Sequence, residues 1–242
     1  ITNKPGQFVA PILEEKGLLT YFEMGTLAAF WVFTRSNLDV AVLEVGLGGR
    51  LDAVNIVDPD VAVVTGVALD HADWLGQTRE DVAREKAGIF RAGVPAVCGD
   101  PEPPQSLLEH AAGLPSPLYL RGVQFDLAQA GGSWSWRGQG STGAALNLDG
   151  MPLPALPVQN AAVALQAVSL LGLPLNAAEA GAVLQQAALP GRLQQIQLPY
   201  DNGLRHLVLD VAHNPQAAAY VADWLRQRPL AGKRYAVFGA LA

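Results

Sequence analysis

The residues with chemical reach in this sequence come in short groups. They are Glu44 in the stretch Val40–Asp52, the pair Asp70-His71, Lys86 within Arg84-Glu85-Lys86-Ala87-Gly88, Arg192 after Pro190-Gly191, and Asp210 and His213 in Asp210-Val211-Ala212-His213-Asn214-Pro215. Glu44 lies near the end of an apolar run that reads as a buried parallel strand, and a glycine-rich turn, Gly46-Leu47-Gly48-Gly49-Arg50, follows it. Asp70-His71 follows a second apolar run, Val61–Gly66. Open α/β sheets bind ligands beyond the carboxyl ends of their strands, so these side chains are expected to converge on one sheet edge. One carboxylate and one imidazole suit Mg²⁺ or Mn²⁺ when phosphate oxygens and waters complete the shell.

Each group also has a plainer reading. Glu44 can pair with Arg50, His71 can be a satisfied structural histidine, and Lys86 can be a solvated lysine making helix-surface pairs. Arg192 reads as a phosphate-binding guanidinium or an ordinary loop arginine. Asp210 and His213 can face a nucleotide or serve as turn and cap residues ahead of a Pro-initiated helix. Spacing alone leaves both members of each pair open. His110 and His206 read as surface residues.

These residues need elements to hold them. Thr20 and Glu23 have the spacing of a capping box, which predicts a helix to about Ser36 that buries Phe22, Leu27, Phe30, Trp31 and Phe33. Residues Phe8–Lys16 read as an earlier helix ending at Gly17. Thr78 and Asp81 cap a second predicted helix running to Phe90, and Pro95–Cys98 reads as a third parallel strand. This βαβα alternation predicts a doubly wound sheet. Tyr119–Phe125, Gly132–Arg137 and Ala144–Leu148 are short runs between Gly, Ser and Gln, and predict a small antiparallel flap. Helices follow at Pro157–Leu171, which contains Asn160, and Ala177–Ala188. Leu204–Val211, a helix to about Arg228 and a strand at Arg234–Gly239 read as the beginning of a second βαβ unit.

Composition narrows the function classes. The chain has 242 residues, 50% hydrophobic and 16% charged, enough for a sizeable core in one large or two modest domains. A net charge of −6 argues against a nucleic-acid footprint. No apolar run approaches the roughly 18 residues of a membrane span, and no signal-peptide pattern opens the chain. The single cysteine, Cys98, excludes an intrachain disulfide and a cysteine-based zinc site. A cytoplasmic α/β protein is expected. No G-x-x-x-x-G-K-[ST] phosphate loop occurs, and the glycine turn lacks the lysine and hydroxyl residue that such a loop needs.

Taken in order, Thr20-Tyr21-Phe22-Glu23, Leu43–Asn55 (LEVGLGGRLDAVN), Asp70–Gly76, Glu85–Ile89, Pro190–Gln194 and Asp210–Pro215 resemble the folylpolyglutamate synthase/dihydrofolate synthase family of the Mur-ligase superfamily. The resemblance spans nearly the whole chain. It implies an α/β fold: a Mur-ligase-like central domain over residues 1–190, with a mostly parallel sheet flanked by helices plus the antiparallel flap, then the start of a Rossmann-like α/β domain over 191–242. It implies an ATP-dependent ligase that adds L-glutamate to dihydropteroate or folate polyglutamates through an acyl phosphate. Glu44, His71 and a carbamylated Lys86 would be the Mg²⁺ ligands, with Lys86 and His71 at the catalytic centre. Asn160, Arg192, Asp210 and His213 would contact the nucleotide, and Phe22 and Asp52 would line the pterin pocket. A monomer is the family expectation. The family's phosphate loop lies upstream of these motifs and its C-terminal domain runs further, so the chain is expected to be the middle of a longer ligase and inactive alone. The alternatives are another Mur-type amino-acid ligase, or a non-catalytic folate-binding module.

Overall fold

Three short parallel strands, β1 (Ala62–Val64), β2 (Ala96–Cys98) and β3 (Leu118–Leu120), form a sheet in the order β1-β2-β3, with Val63, Val97 and Tyr119 in register. The computed structural model describes residues 19–200 and 203–239, except 229 and 231. The helix expected at Phe8–Lys16 therefore lies outside the described residues. Helix α1 (Tyr21–Phe33) opens the described chain, and Asp52 caps a 3₁₀ turn at Ala53–Ile56. A four-residue helix, α2 (Ala72–Leu75), and α3 (Arg79–Ala87) connect β1 to β2, and α4 (Gln105–Gly113) connects β2 to β3.

Alternation along the strands decides which face each helix covers. Ala62, Val64, Ala96 and Cys98 join Val82, Ala83, Ala87 and Phe90 from the α3 region and Leu107 and Ala111 from α4 in one buried cluster. Val97, with the half-buried Val63 and Tyr119, points the other way. There it meets Val163 and Leu170 of helix α5 (Val158–Leu170) and Phe125. A sheet covered on both faces needs apolar side chains at every strand position, which is why these strands read as unbroken apolar runs. Cys98 is fully buried here, and desolvation pushes its thiol up to about 11.

Both capping boxes form. Thr20 N donates to Glu23 Oε2 at 2.6 Å and Glu23 N to Thr20 Oγ1 at 3.2 Å, and Thr78 and Asp81 make the same exchange at 3.1 and 3.2 Å. The flap also forms. Strands β4 (Asp126–Ala130), β5 (Ser133–Gln139) and β6 (Ala145–Pro152) pair antiparallel. They bury Trp134 and Trp136 against α5 and α6 (Ala177–Gln186). Gln166 of α5 is fully buried and stitched to β5: its Nε2 donates to the Gln139 carbonyl at 2.7 Å, and its Oε1 accepts from Gln139 N at 3.2 Å.

Several expectations need correction. Val40–Val45 is not a strand, because no described strand lies beside it: β1 pairs only with β2, and Val42 is 92% exposed. Helix α1 buries only Thr26; Phe22, Leu27 and Phe33 are exposed and Phe30 and Trp31 half-buried, since little besides the 3₁₀ turn packs on it. Leu118–Leu120 joins the parallel sheet rather than the flap, because α4 carries the chain back across it, and the flap begins at Asp126. The last strand among the described residues is Gly203–Leu209 (β8), and it pairs antiparallel with β7 (Gln194–Tyr200), which was not anticipated. Helix α7 (Pro215–Arg226) follows, and residues 234–239 form no strand, so the second βαβ unit is absent among the described residues.

Candidate active site

The glycine turn after Glu44 is shaped by two contacts. Gly48 takes a left-handed φ of +70°, and a Cβ on Gly49 would lie 2.9 Å from the Glu85 carbonyl oxygen and 3.1 Å from that of Lys86. The turn therefore lies directly on the backbone of α3. Arg50 fixes it there: its N–H donates to the Glu85 carbonyl at 2.9 Å and its guanidinium pairs with the Glu85 carboxylate at 2.9 Å. Arg50 thus pairs with Glu85 and not with Glu44. The Glu44 carboxylate is exposed and makes no hydrogen bond or ion pair among the described residues.

Asp52 holds the turn from the inside. Its Oδ2 accepts from Gly46 N at 3.1 Å and Leu47 N at 3.0 Å, and its Oδ1 caps the 3₁₀ turn through Val54 N at 2.9 Å. Phe22 packs on Gly46, with a Cβ there only 2.8 Å from its ring. Phe22 and Asp52 line one cleft of about 290 Å³, whose wall also carries Leu47, Trp74 and Leu75. A neighbouring cleft of about 340 Å³ lies beside Thr26, Leu27, Arg50 and Ile56. Trp74 is 79% exposed and sits on α2 between His71 and Gly76, both at positive φ. Sequence reading did not single it out as a site residue. An aromatic between a histidine and a glycine in a short polar stretch was the available signal.

Beyond β1 lies the second group. His71 is left-handed, φ 51° and ψ 44°, without a side-chain cap bond. Among the described residues the only other non-glycine at positive φ is Leu193, next to Arg192. Such conformations cost of order 1–3 kcal/mol each and persist where surroundings over-determine them, often at functional sites. Asp70 is the centre of this group. Its Oδ1 accepts from His71 N at 2.8 Å and its Oδ2 from Asn214 Nδ2 at 3.1 Å, while His213 Nε2 lies 3.6 Å from Oδ2. The Asn214 amide, above all, holds the Asp70 carboxyl below its usual range; partial burial opposes this, and the His71 N–H and the two imidazoles add to it.

Lys86 is half-buried, not solvated. Burial lowers the proton affinity of its amine, and the Asp70 carboxylate pulls the other way. Among the described residues no three His, Cys, Asp or Glu side chains gather at metal-ligand spacing, Glu44 and His71 included. Any cation here must take further oxygens from elsewhere. A lysine carbamate would supply them.

The remaining residues cluster around a turn. Asp210 accepts from Leu193 N and Ala212 N, both at 2.8 Å, so both its oxygens orient backbone. His213 Nδ1 lies 3.0 Å from the Val211 carbonyl, a donating distance only for the tautomer protonated there. Asn214 caps α7 through Ala217 N at 2.9 Å, with Pro215 at its first position. Arg192 and Asn160 are both exposed, Asn160 in the first turn of α5. The structure thus brings Asp70, His71, Lys86 and His213 together, and Phe22 with Asp52. The side chains of Glu44 and Asn160 make no hydrogen bond or ion pair with either group among the described residues.

The Mur ligase middle domain matches residues 7–98, the stretch that holds β1, β2, the glycine turn, His71 and Lys86. The dihydrofolate synthase/folylpolyglutamate synthase of Escherichia coli (strain K12) is 45% identical over 223 residues, covering 92% of this chain and 50% of that protein. That of Haemophilus influenzae is 40% identical over 237 residues, covering 92% and 53%. The structure of E. coli FolC in complex with DHPP and ADP superposes with a TM-score of 0.80 at 45% identity over 89% of this chain and 50% of that one. A bifunctional folylpolyglutamate synthase/dihydrofolate synthase with Mn, AMPPNP and L-glutamate bound gives 0.75 at 49% identity over 86% and 48%. The chain belongs to the dihydrofolate synthase/folylpolyglutamate synthase family of Mur-type ligases and spans about half the length of these relatives. No helix among the described residues is long and apolar enough to cross a membrane.

Proposed function

We propose that this chain is the central part of an ATP-dependent carboxylate–amine ligase that adds L-glutamate to dihydropteroate, to folate polyglutamates, or to both, working as a cytoplasmic monomer with Mg²⁺. Its central domain would run to residue 190 and the glutamate-ligase domain would begin at 191. The γ-phosphoryl group of ATP moves to the acceptor carboxylate, giving an acyl phosphate, and the glutamate amine attacks that carbonyl and releases phosphate. His71 and carbamylated Lys86 would hold the cation, and Glu44, whose exposed carboxylate is not gathered with them in this structure, would have to move in to complete the set; the cation's charge would offset that of the phosphoryl oxygens. Asn160, Arg192, Asp210 and His213 would take the nucleotide, and Phe22 and Asp52 the pterin. On its own the chain is expected to turn over nothing, since its sequence carries no phosphate loop.

The observation that carries this reading is the Lys86 amine, half-buried beside Asp70 with its proton affinity lowered. The neutral amine is the form that attacks CO₂; the nitrogen bonds to carbon, a proton leaves to solvent, and an anionic oxygen pair replaces a cation. In ¹³C-bicarbonate the chain should show one carbamate resonance by NMR, strengthening as pH rises from 6 to 9 and absent in Lys86→Arg. An unchanged spectrum in the variant would remove Lys86 from the ligand set.

The cleft supports the acceptor assignment. Trp74 and Phe22 present exposed rings to one cavity, and a flat bicyclic ring can stack there. Aromatic pairs contribute about 0.5–1.5 kcal/mol beyond burial, so Trp74→Ala should weaken pteroate binding by about tenfold and Trp74→Phe by less. Equal titration curves for all three forms would place the acceptor elsewhere.

A further inference from the structure

Among the described residues, none from 191 onward joins the three buried apolar clusters. Strands β7 and β8 and helix α7 contain no buried residue. Among the described residues one hydrogen bond between side chains joins this segment to the parallel-sheet body, Asn214 Nδ2 to Asp70 Oδ2 at 3.1 Å, and one charged approach accompanies it, His213 Nε2 to the same oxygen at 3.6 Å. Asp70 is built for this. Its Oδ1 is held by the N–H of His71, a residue in a strained left-handed conformation, which turns Oδ2 outward toward residue 214. Asn214 is equally fixed, because its own Oδ1 caps α7 and leaves Nδ2 to donate.

We propose that Asp70 is a positioning residue that docks the Asp210–Pro215 turn beside His71 and Lys86, through its hydrogen bond to Asn214. Docking sets His213 beside the same carboxylate. The importance of this for nucleotide handling rests on the ligase reading above; the docking itself does not. The bond also has a polarity. A carboxylate on one side needs a donor on the other, so Asn214→Asp should place two carboxylates face to face while keeping an oxygen to cap α7. Adding Asp70→Asn should restore the pair with donor and acceptor exchanged.

The test measures an interspin distance in the whole chain. Spin labels at Glu109→Cys on α4 and Ala219→Cys on α7 lie on exposed positions, and buried Cys98 stays unlabelled. Pulsed EPR should give one narrow distance for the parent, loss of that distance in Asn214→Asp, and its return in Asp70→Asn/Asn214→Asp. Helix content by circular dichroism should be equal in all three. A narrow distance in Asn214→Asp, or no return in the swapped pair, overturns the proposal. No nucleotide or acceptor is present, so failure of the ligase reading would appear in the carbamate and pteroate measurements and not here.

Discussion

Replacing Gly49 with valine should lower stability by roughly 3 kcal/mol, at the upper end of what overpacking usually costs, and, on the proposed reading, should abolish pteroate binding at the adjoining cleft. The atoms a Cβ meets are carbonyl oxygens of Glu85 and Lys86, at 2.9 and 3.1 Å, with Ile89 Cγ2 at 3.0 Å. Helix backbone cannot swing aside as a side chain can. Relief requires the turn to lift, which breaks the Arg50 N–H bond to Glu85 and strains the Arg50–Glu85 pair. Lifting also moves Leu47, Gly48 and Asp52, which line the cleft. Gly25 is the control: it lies in exposed α1 with nothing within 4 Å of a Cβ, so Gly25→Ala should be neutral or stabilising by about 0.5–1 kcal/mol. Urea midpoints at constant m-value check both.

The second large effect is in the flap. Trp134→Ala should cost about 3–5 kcal/mol, the range for emptying a buried aromatic site. Trp134 is 1% exposed, packs under α5 and α6, and its Nε1 donates to the Pro152 carbonyl at 3.1 Å. Trp136 is buried equally, yet its Nε1 has no partner among the described residues. Phenylalanine at each position separates shape from hydrogen bonding. Trp134→Phe should cost about 1 kcal/mol more than Trp136→Phe, the net worth of one hydrogen bond. Equal losses in thermal unfolding would mean that the Pro152 bond contributes nothing.

Local rules made the helices readable. Thr20 with Glu23 and Thr78 with Asp81 sit three residues apart, and each pair forms as a capping box. The apolar runs at Val61–Gly66 and Pro95–Cys98 were readable as strands because burial on both faces demands them. What escaped was set at long range. The direction of Leu118–Leu120 depends on α4 carrying the chain back, and the exposure of α1 depends on what packs against it. Strand β7 left a signal that went unused: Gln195–Leu198 alternates polar and apolar residues ahead of Asn202-Gly203, a hairpin dipeptide. The site was half readable. Asp70-His71 and Lys86 stood out by type and position, while the partner that explains Asp70, Asn214, lies 144 residues further on. Trp74 lies within Asp70–Gly76, and only the folded chain places it on the cleft wall.

Because β7, β8 and α7 bury no side chain while Trp134, Trp136 and Gln166 are sealed, the amide hydrogens of this protein should exchange with deuterium in two well-separated phases. Those of 194–226 should be lost first through local opening, and those of β5 and α5 last, at rates that approach global unfolding. The body can thus keep its structure while the 194–226 segment opens and recloses many times.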